Sequence, residues 1–470
     1  MAKTLTAEAA AAPTVLAGRF YAAVWRWHFY AGLYVIPFLT MLAVTGLAML
    51  WIAVLDGREG ELGLRIEPAT RAMAVSAQAA AAEAALPGGE LRHYIAPRAP
   101  DRPALFRVDQ ADEAFMVAVD PATGEVLGHW PRRAGWYDFL TDIHGTLLLG
   151  DLGDRLIEIA AGFGLVLVVT GLFLWWPRQG ERLLSLLVPD LRQRGRSLWK
   201  ELHRTIGLWT AALLILFLLT GLAWTGIWGE RLVQAWSTFP AEKWDDVPVS
   251  DTAHAALNHG ATKDVPWALE QTPLPASGSQ AGVAAIPPGS AVDLDAVAAL
   301  ARDLGMTGRF QVALPKGATG VWTISQDSMS NDTSDPTADR TVHIDRYTGH
   351  VLADIRFADY SVGGKAMAIG IAFHEGDLGW WNVVLNTLFC LSMMFMAGSG
   401  VVMWWNRRPA GAGRLVAPPR PAELPLWKGA VLVGLFLCLA FPLVGLALLV
   451  VLLVDLLVVQ RLPPLRRALS

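Results

Sequence analysis

Four histidines in this chain have a spacing that suits a flat ligand with a metal at its centre. His28 follows Trp25-Arg26-Trp27, with Gly32 and then Thr45-Gly46-Leu47 downstream. His203 repeats the arrangement, with Gly207 and Thr220-Gly221-Leu222 behind it. Gly46 lies 18 residues after His28, and Gly221 lies 18 after His203. Eighteen residues make about five helical turns, so each histidine shares a helix face with its distant glycine. His144 and His374 form the second set: His144 precedes Trp175-Trp176 by 31 residues, and His374 precedes Trp404-Trp405 by 30. Neutral imidazole is a common metal ligand, and a glycine stripe beneath it leaves room for a broad group.

The elements that must carry these residues are apolar. The 470 residues are 53% hydrophobic, with a mean hydropathy of +0.38, and the excess is concentrated in blocks. Five regions are long enough to cross a hydrocarbon core of about 30 Å: roughly 29–55, 156–176, 206–228, 381–405 and 426–459. The first apolar run is too long, and lacks the small-residue exit, for a cleavable leader, so it reads as a retained helix. Arg178, Arg182, Arg192, Arg194, Arg196, Lys200 and Arg204 crowd one short loop, and Arg407, Arg408, Arg414, Arg420 and Lys428 another. Positive charge marks the cytoplasmic side, which puts the N-terminus there and the long segments opposite, in the periplasm of a Gram-negative cell.

The expected division follows from this. It runs through a cytoplasmic N-terminus (1–27), a first span (28–55), a periplasmic domain (56–143) and a lead-in with the second span (144–176). A basic cytoplasmic loop (177–202), a third span (203–228), a periplasmic insertion and second domain (229–373) and a lead-in with the fourth span (374–405) come next. A cytoplasmic loop (406–425), a C-terminal hydrophobic block (426–460) and a cytoplasmic tail (461–470) complete the chain. The last block carries Pro442 and Gly445 at its middle and basic residues at both ends. It reads as a hairpin of two short spans, with a single tilted or kinked helix as the alternative.

Each outer segment predicts a small α+β domain. The first has an alanine-rich helix over 73–86, strands near 92–96, 104–108 and 115–119, and a strand resuming at Glu125. The second has a helix over 294–304 and strands near 310–314, 321–325 and 342–344. Asp120-Pro-Ala-Thr-Gly124-Glu-Val-Leu127 and Asp345-Arg-Tyr-Thr-Gly349-His-Val-Leu352 match in register. The chain therefore reads as a two-fold internal repeat of helix, outer domain, histidine and helix, whose halves relate by a pseudo-two-fold axis along the membrane normal. The stretch 230–289, rich in Pro, Ala, Gly and Ser, is expected to wind over a surface, with His254 and His259 in solvated loop.

Placed on this topology, His28 and His203 open helices at the cytoplasmic face, and His144 and His374 lie at the periplasmic face. Two facing imidazoles at each level are the pattern of bis-histidine haem b, two haems in all. Gly46 and Gly221, and likewise Gly171 and Gly400, would leave room for the haem at the opposite end of their helix. For any one of these residues alone, the plainer reading is an interfacial histidine or a packing glycine. A zinc or copper site is a weaker reading, because each level supplies only two histidines. Cys390 and Cys438 both lie in apolar segments, and no CxxCH sequence occurs, so any haem is held by ligation alone. No phosphate loop, dinucleotide fingerprint, nucleophile elbow or HExxH is present, and no basic tract suggests nucleic acid. Electrons must therefore come from another molecule, expected to be a reduced flavin or flavoprotein in the cytoplasm.

The ordered set of the two Asp-x-x-Thr-Gly-x-Val-Leu turns, the early His28, His144-Gly145 and the Trp-Trp-Pro-Arg and Trp-Trp-Asn-Arg exits resembles the PepSY-associated transmembrane family over residues 20–408. The resemblance implies four core helices and two periplasmic PepSY-like domains. It also implies, as in FoxB-type siderophore reductases, two b haems held by His28 with His203 and by His144 with His374. The activity implied is reduction of a ferric siderophore or other ferric chelate in the periplasm. Two further readings stay open: a non-enzymatic PepSY membrane protein that binds or regulates a partner, and a transporter for a chelated metal. The second has poor support, since Asp455 is the one acidic residue expected to be buried in a span.

Overall fold

A computed structural model describes residues 2–68, 71–177, 187–258, 263–411, 414–418 and 428–469. Arg178, Glu181, Arg182, His259 and Arg420 lie outside these residues. The helices are α1 (Ala2–Leu55), α2 (Val75–Ala85), α3 (Trp136–Thr146), α4 (Asp151–Trp175), α5 (Gly195–Leu222) and a single turn α6 (Ala235–Ser237). They continue as α7 (Leu294–Asp303), α8 (Val362–Glu375), α9 (Trp380–Trp405), α10 (Lys428–Ala440), α11 (Pro442–Val454) and α12 (Pro463–Ala468). The chain divides into two units. One is residues 1–46, 144–230 and 387–470, and the other is residues 47–143 and 231–386.

The first unit is helical. Five stretches among the described residues are long and apolar enough to cross a membrane: Phe20–Leu55, Asp151–Trp175, Gly195–Leu222, Trp380–Trp405 and Pro442–Val459. The chain is a multi-pass membrane protein. Three expected boundaries change. His28 lies deep inside the unbroken α1, and His203 lies well inside α5, so neither opens its helix. His144, expected in a lead-in before the second span, is on a helix of its own. It ends the separate helix α3, and Leu147 and Leu148, at φ +55° and +60°, turn the chain before α4 begins. The third span stops at Leu222 instead of Trp228.

That early stop accounts for a buried acid the sequence reading missed. Beyond Leu222 the chain unwinds, and the N–H groups of Gly226 and Ile227 lose their helical acceptors. Asp154 accepts from the Gly226 N–H (3.1 Å) and Glu158 from the Ile227 N–H (3.2 Å). Glu158 is only 3% exposed in α4, whereas Asp455 is half-buried. The C-terminal block breaks at Phe441, with Pro442 in the first turn of α11. Gly445 comes back against Cys438, where an added Cβ would meet the Cys438 Cβ and carbonyl at 3.1 Å. The block is thus two 13-residue helices meeting at a sharp break.

The second unit is built on one sheet. Its strands are β1 (Glu90–Ile95), β2 (Ala104–Gln110), β3 (Glu113–Val119), β4 (Val126–Pro131), β5 (Val249–Ala253), β6 (Pro273–Pro275) and β7 (Val283–Ala284). The remaining four are β8 (Gln311–Ala313), β9 (Val321–Gln326), β10 (Arg340–Asp345) and β11 (His350–Arg356). Nine of them run in the order β4-β3-β2-β1-β8-β9-β10-β11-β7, while β5 and β6 pair separately. Two separate domains were expected. Instead β1 and β8 pair antiparallel, Tyr94 opposite Val312, and weld the two meanders into one sheet. Backbone hydrogen bonds across that seam need no special side chains, which is why the pattern of either half alone does not announce it.

The Asp-x-x-Thr-Gly motifs are the hairpin turns from β3 to β4 and from β10 to β11. The Asp345 carboxylate accepts from the N–H groups of Tyr347 (2.8 Å) and Thr348 (2.9 Å), and the Thr348 hydroxyl accepts from His350 N–H (3.3 Å). Asp120 and Thr123 do the same for Ala122 and Glu125. Gly124 and Gly349 take φ of +73° and +69°, which a side chain would oppose. Helices α2 and α7 cover one face of the sheet in a shared core that includes Ala82, Phe106, Val297, Phe310, Ile324 and Ile344. Leu105, Met116 and Ala118 are buried on the other face, so β2 and β3 read as nearly continuous apolar runs.

Candidate functional site

Three of the four singled-out histidines lie in the helical unit, and each meets a hydroxyl on a neighbouring helix. His28 Nδ1 is 2.9 Å from Thr170 Oγ1, His144 Nδ1 is 2.8 Å from Thr45 Oγ1, and His203 Nδ1 is 2.7 Å from Ser399 Oγ. A hydroxyl has one proton to donate. Thr45 donates it to Met41 O (2.8 Å), Thr170 to Val166 O (2.6 Å) and Ser399 to Met396 O (3.0 Å), each a carbonyl of the preceding turn. The hydroxyl oxygen is then left as an acceptor, so the ring must supply the proton from Nδ1. A neutral ring with Nδ1–H carries its lone pair on Nε2, the form a metal ion requires. The tautomer follows from the hydrogen-bond network.

The residue after each hydroxyl is one of the singled-out glycines. An added Cβ on Gly46 would meet His144 Cε1 at 3.3 Å, one on Gly171 would meet His28 Cε1 at 3.3 Å, and one on Gly400 would meet His203 Cε1 at 4.0 Å. The sequence reading left this space to a haem. The structure fills it with the edge of the imidazole itself, so hydroxyl and glycine together form a seat for the ring. Gly32 and Gly207 play a different part: Gly32 faces Leu167 across 3.9 Å, and Gly207 is pressed by Met396. Thr220, which precedes Gly221 in α5, also donates to the preceding turn, at Leu216 O (2.8 Å).

The seats lie at two levels of the helical unit. Thr45 is 17 residues beyond His28 on α1, or about 25 Å along the axis. An added Cβ on Gly400 would meet Ile36 Cδ1 at 3.7 Å as well as His203, which sets the His203 seat against α1 about two turns beyond His28. His374 belongs to the sheet unit, in the last turn of α8. Gly376, at φ +91°, ends that helix, and the N–H groups of Gly376 (3.1 Å) and Asp377 (2.9 Å) donate to Ala372 O. Asn386 Nδ2 donates to Phe373 O (2.8 Å) and His374 O (3.1 Å), and Asn382 Nδ2 to Phe373 O (3.0 Å). Two asparagines one turn apart on α9 therefore hold the end of the helix that carries His374.

Sequence reasoning found the histidines and glycines but treated the hydroxyls as packing partners and passed over the asparagines. A signal for the hydroxyls existed: Thr45, Thr170, Thr220 and Ser399 each stand directly before a glycine of the set. The asparagines signalled themselves as two amides spaced i, i+4 in an apolar helix. His254 departs from expectation. It is fully buried, its Nε2 lies 2.8 Å from His343 Nε2, and its Nδ1 lies 2.6 Å from Thr272 O. The insertion that carries it is not merely surface winding, since Trp267, Ala268 and Leu269 are buried within it and β7 joins the sheet edge. Among the described residues no group of three or more His, Cys, Asp or Glu is poised to hold a bare metal ion.

Helical spans that present hydroxyl-seated histidines, joined to a nine-stranded α+β unit, define a class of multi-pass membrane protein. The family model described as PepSY-associated TM region matches residues 25–407, and the chain belongs to that family. No curated protein matches it.

Proposed function

We propose that this chain is a dihaem b electron-transfer protein of the bacterial inner membrane. On this reading it takes electrons from a cytoplasmic donor, a reduced flavin or flavoprotein, and reduces Fe(III) held by a siderophore or other chelate in the periplasm. The observation that carries the reading is the hydroxyl seat, because it fixes Nδ1–H on three half-buried imidazoles and leaves the Nε2 lone pair as a ligand. The residues thus fit the group. His28 and His203 would hold one haem, and His144 and His374 the other, the second pairing resting on their matched places in the two halves of the sequence. Bound haem b supplies a one-electron relay. The chain's own part is to hold the rings at two levels and to shield them from water. On this reading the basic loops and the His28–His203 level face the cytoplasm, the sheet unit faces the periplasm, and the two halves of the chain relate by a pseudo-two-fold axis along the membrane normal. One electron converts Fe(III) to Fe(II), which hard oxygen ligands hold less tightly, so the iron is released.

The test is the reduced-minus-oxidised absorption spectrum and haem content of the purified full chain. Two b haems per chain, with one lost in His28→Ala or His203→Ala and the other in His144→Ala or His374→Ala, is the expected result. A protein without haem, indifferent to replacement of all four histidines, would be a membrane binding or regulatory protein. Chelate flux into vesicles without a reductant would mark a transporter.

A further inference from the structure

We infer that a cavity beside the turn after His374 is a binding site for a carboxylate group. The cavity lies within the sheet unit and measures ≈ 260 Å³. Leu50, Val54 and Trp380 form its apolar wall, and its polar lining is Glu61, Arg98, Asn331, Glu375 and Asp377. The three carboxylates are already engaged. Arg58 Nη2 donates to Glu375 (2.9 Å) and to Asp377 (2.5 Å). Glu61 accepts from the Glu59 N–H (3.1 Å) and has the Arg309 guanidinium at 3.6 Å.

Arg98 and Asn331 are placed differently. Among the described residues Arg98 makes no hydrogen bond: its nearest carboxylate oxygen, on Glu61, is 3.8 Å away, and its Nε is buried without a partner. The side-chain amide of Asn331 is likewise without a hydrogen bond among the described residues, while its backbone N–H donates to Ser328 O (3.2 Å). The Arg98 side chain is one-third exposed, so its outer N–H groups reach solvent, and the donor whose unmade bond costs free energy is the buried Nε–H. The unmet capacity of this cavity is therefore for donating hydrogen bonds, in spite of its acidic rim. A planar two-oxygen anion meets that capacity best, taking a forked pair of bonds from Arg98 and a third from Asn331. The volume suits an arm of a ligand and is below the usual range for a whole one, about 300–1,000 Å³.

Two sources could supply the carboxylate: a carboxylate arm of the iron chelate, or a propionate of haem. The role given to either source rests on the reductase reading. The affinity for a carboxylate does not, and titrating the full chain in detergent, whatever its haem content, keeps the two apart. The probes are citrate and ferric citrate, followed by calorimetry, together with the midpoint potential of any bound haem. If the arm is the source, Arg98→Gln weakens citrate binding by about tenfold to a hundredfold and leaves the potentials unchanged. If the propionate is the source, citrate does not bind and Arg98→Gln shifts the potential of one haem. Asn331→Asp sets a like charge against the ligand, so it moves the same readout as Arg98→Gln and covers the case in which that variant fails to fold. Citrate binding and potentials untouched by both substitutions would overturn the proposal.

Discussion

Two groups of histidines in this protein are treated in opposite ways: the buried His254–His343 pair of the sheet unit and the half-buried, hydroxyl-seated rings of the helical unit. In the sheet unit, His254 donates from Nδ1 to Thr272 O, which leaves its Nε2 to accept from His343 Nε2–H at 2.8 Å. His343 Nδ1 then accepts from the Thr323 hydroxyl at 3.0 Å. All four ring nitrogens are used, both residues are 0% exposed, and Trp244 lies against both rings. In the helical unit a hydroxyl that has already given its proton to a helix carbonyl accepts from Nδ1–H. The contrast shows that burial does not make a histidine a ligand. What decides is where the neighbour's proton goes, since that fixes which ring nitrogen keeps its lone pair.

The largest effects should separate the two groups outright. His28→Ala, His144→Ala and His203→Ala are each expected to abolish one level of haem, read as lost α-band absorbance and haem per chain. His254→Gln should leave the spectrum intact. A His254 variant that loses haem, beside a His28 variant that keeps it, would reverse the comparison. One step down come the seats. Thr45→Val, Thr170→Val and Ser399→Ala remove the acceptor for Nδ1–H while keeping the ligand nitrogen. Partners of this kind are typically worth about 10- to 100-fold in metal affinity, so haem should be lost faster to an apo-protein acceptor, and Thr45→Ser should restore retention.

The sheet unit should answer to pH instead. Burial holds His254 down to about 4 from its ordinary 6.5. Burial, and then the neighbouring His254, hold His343 well below its ordinary value. Between pH 6.5 and about 4 the unfolded chain takes up protons that the folded pair refuses. The stability tied to the pair is thus complete above pH 6.5 and is lost as pH falls through that window. For His254 alone the shift corresponds to about 3 kcal/mol. Hydrogen exchange of the amides in β9 and β10 should accelerate over that range. A His254→Leu/His343→Leu double variant should show a flatter pH profile, and an unchanged profile would place the acid sensitivity elsewhere.

What could be read from the chain beforehand was whatever is local. The Asp-x-x-Thr-Gly turns carry their own hydrogen bonds within five residues, and their hairpins appear where the motif stands. The histidines and glycines were visible because helical periodicity orders them along one face. The β1–β8 seam was not, because it joins residues more than 200 apart through backbone alone. The burial of His254 depends on how the insertion closes over β10, which no periodicity records. The seats fall between these cases, since the hydroxyl-before-glycine pairs are local but the ring each receives comes from another helix.

The smallest predicted effect tests the seats most finely, because it depends on tenths of an ångström. All three glycines are helical with ordinary φ, so alanine there adds a methyl without backbone strain and slightly favours the helix. At Gly46 and Gly171 that methyl meets the imidazole Cε1 at 3.3 Å, closer than a comfortable carbon–carbon contact of about 3.5–4.0 Å, and the ring must tilt away. At Gly400 the distance is 4.0 Å, and nothing need move. A tilted ring keeps both of its nitrogens but strains the bond from Nδ1–H to the hydroxyl. Gly46→Ala and Gly171→Ala should therefore shift the potential of one haem each while leaving the stoichiometry intact, and Gly400→Ala should be silent. Equal shifts from all three would mean that the glycines make room for the haem and not for its ligand, which would return them to the role expected from the sequence.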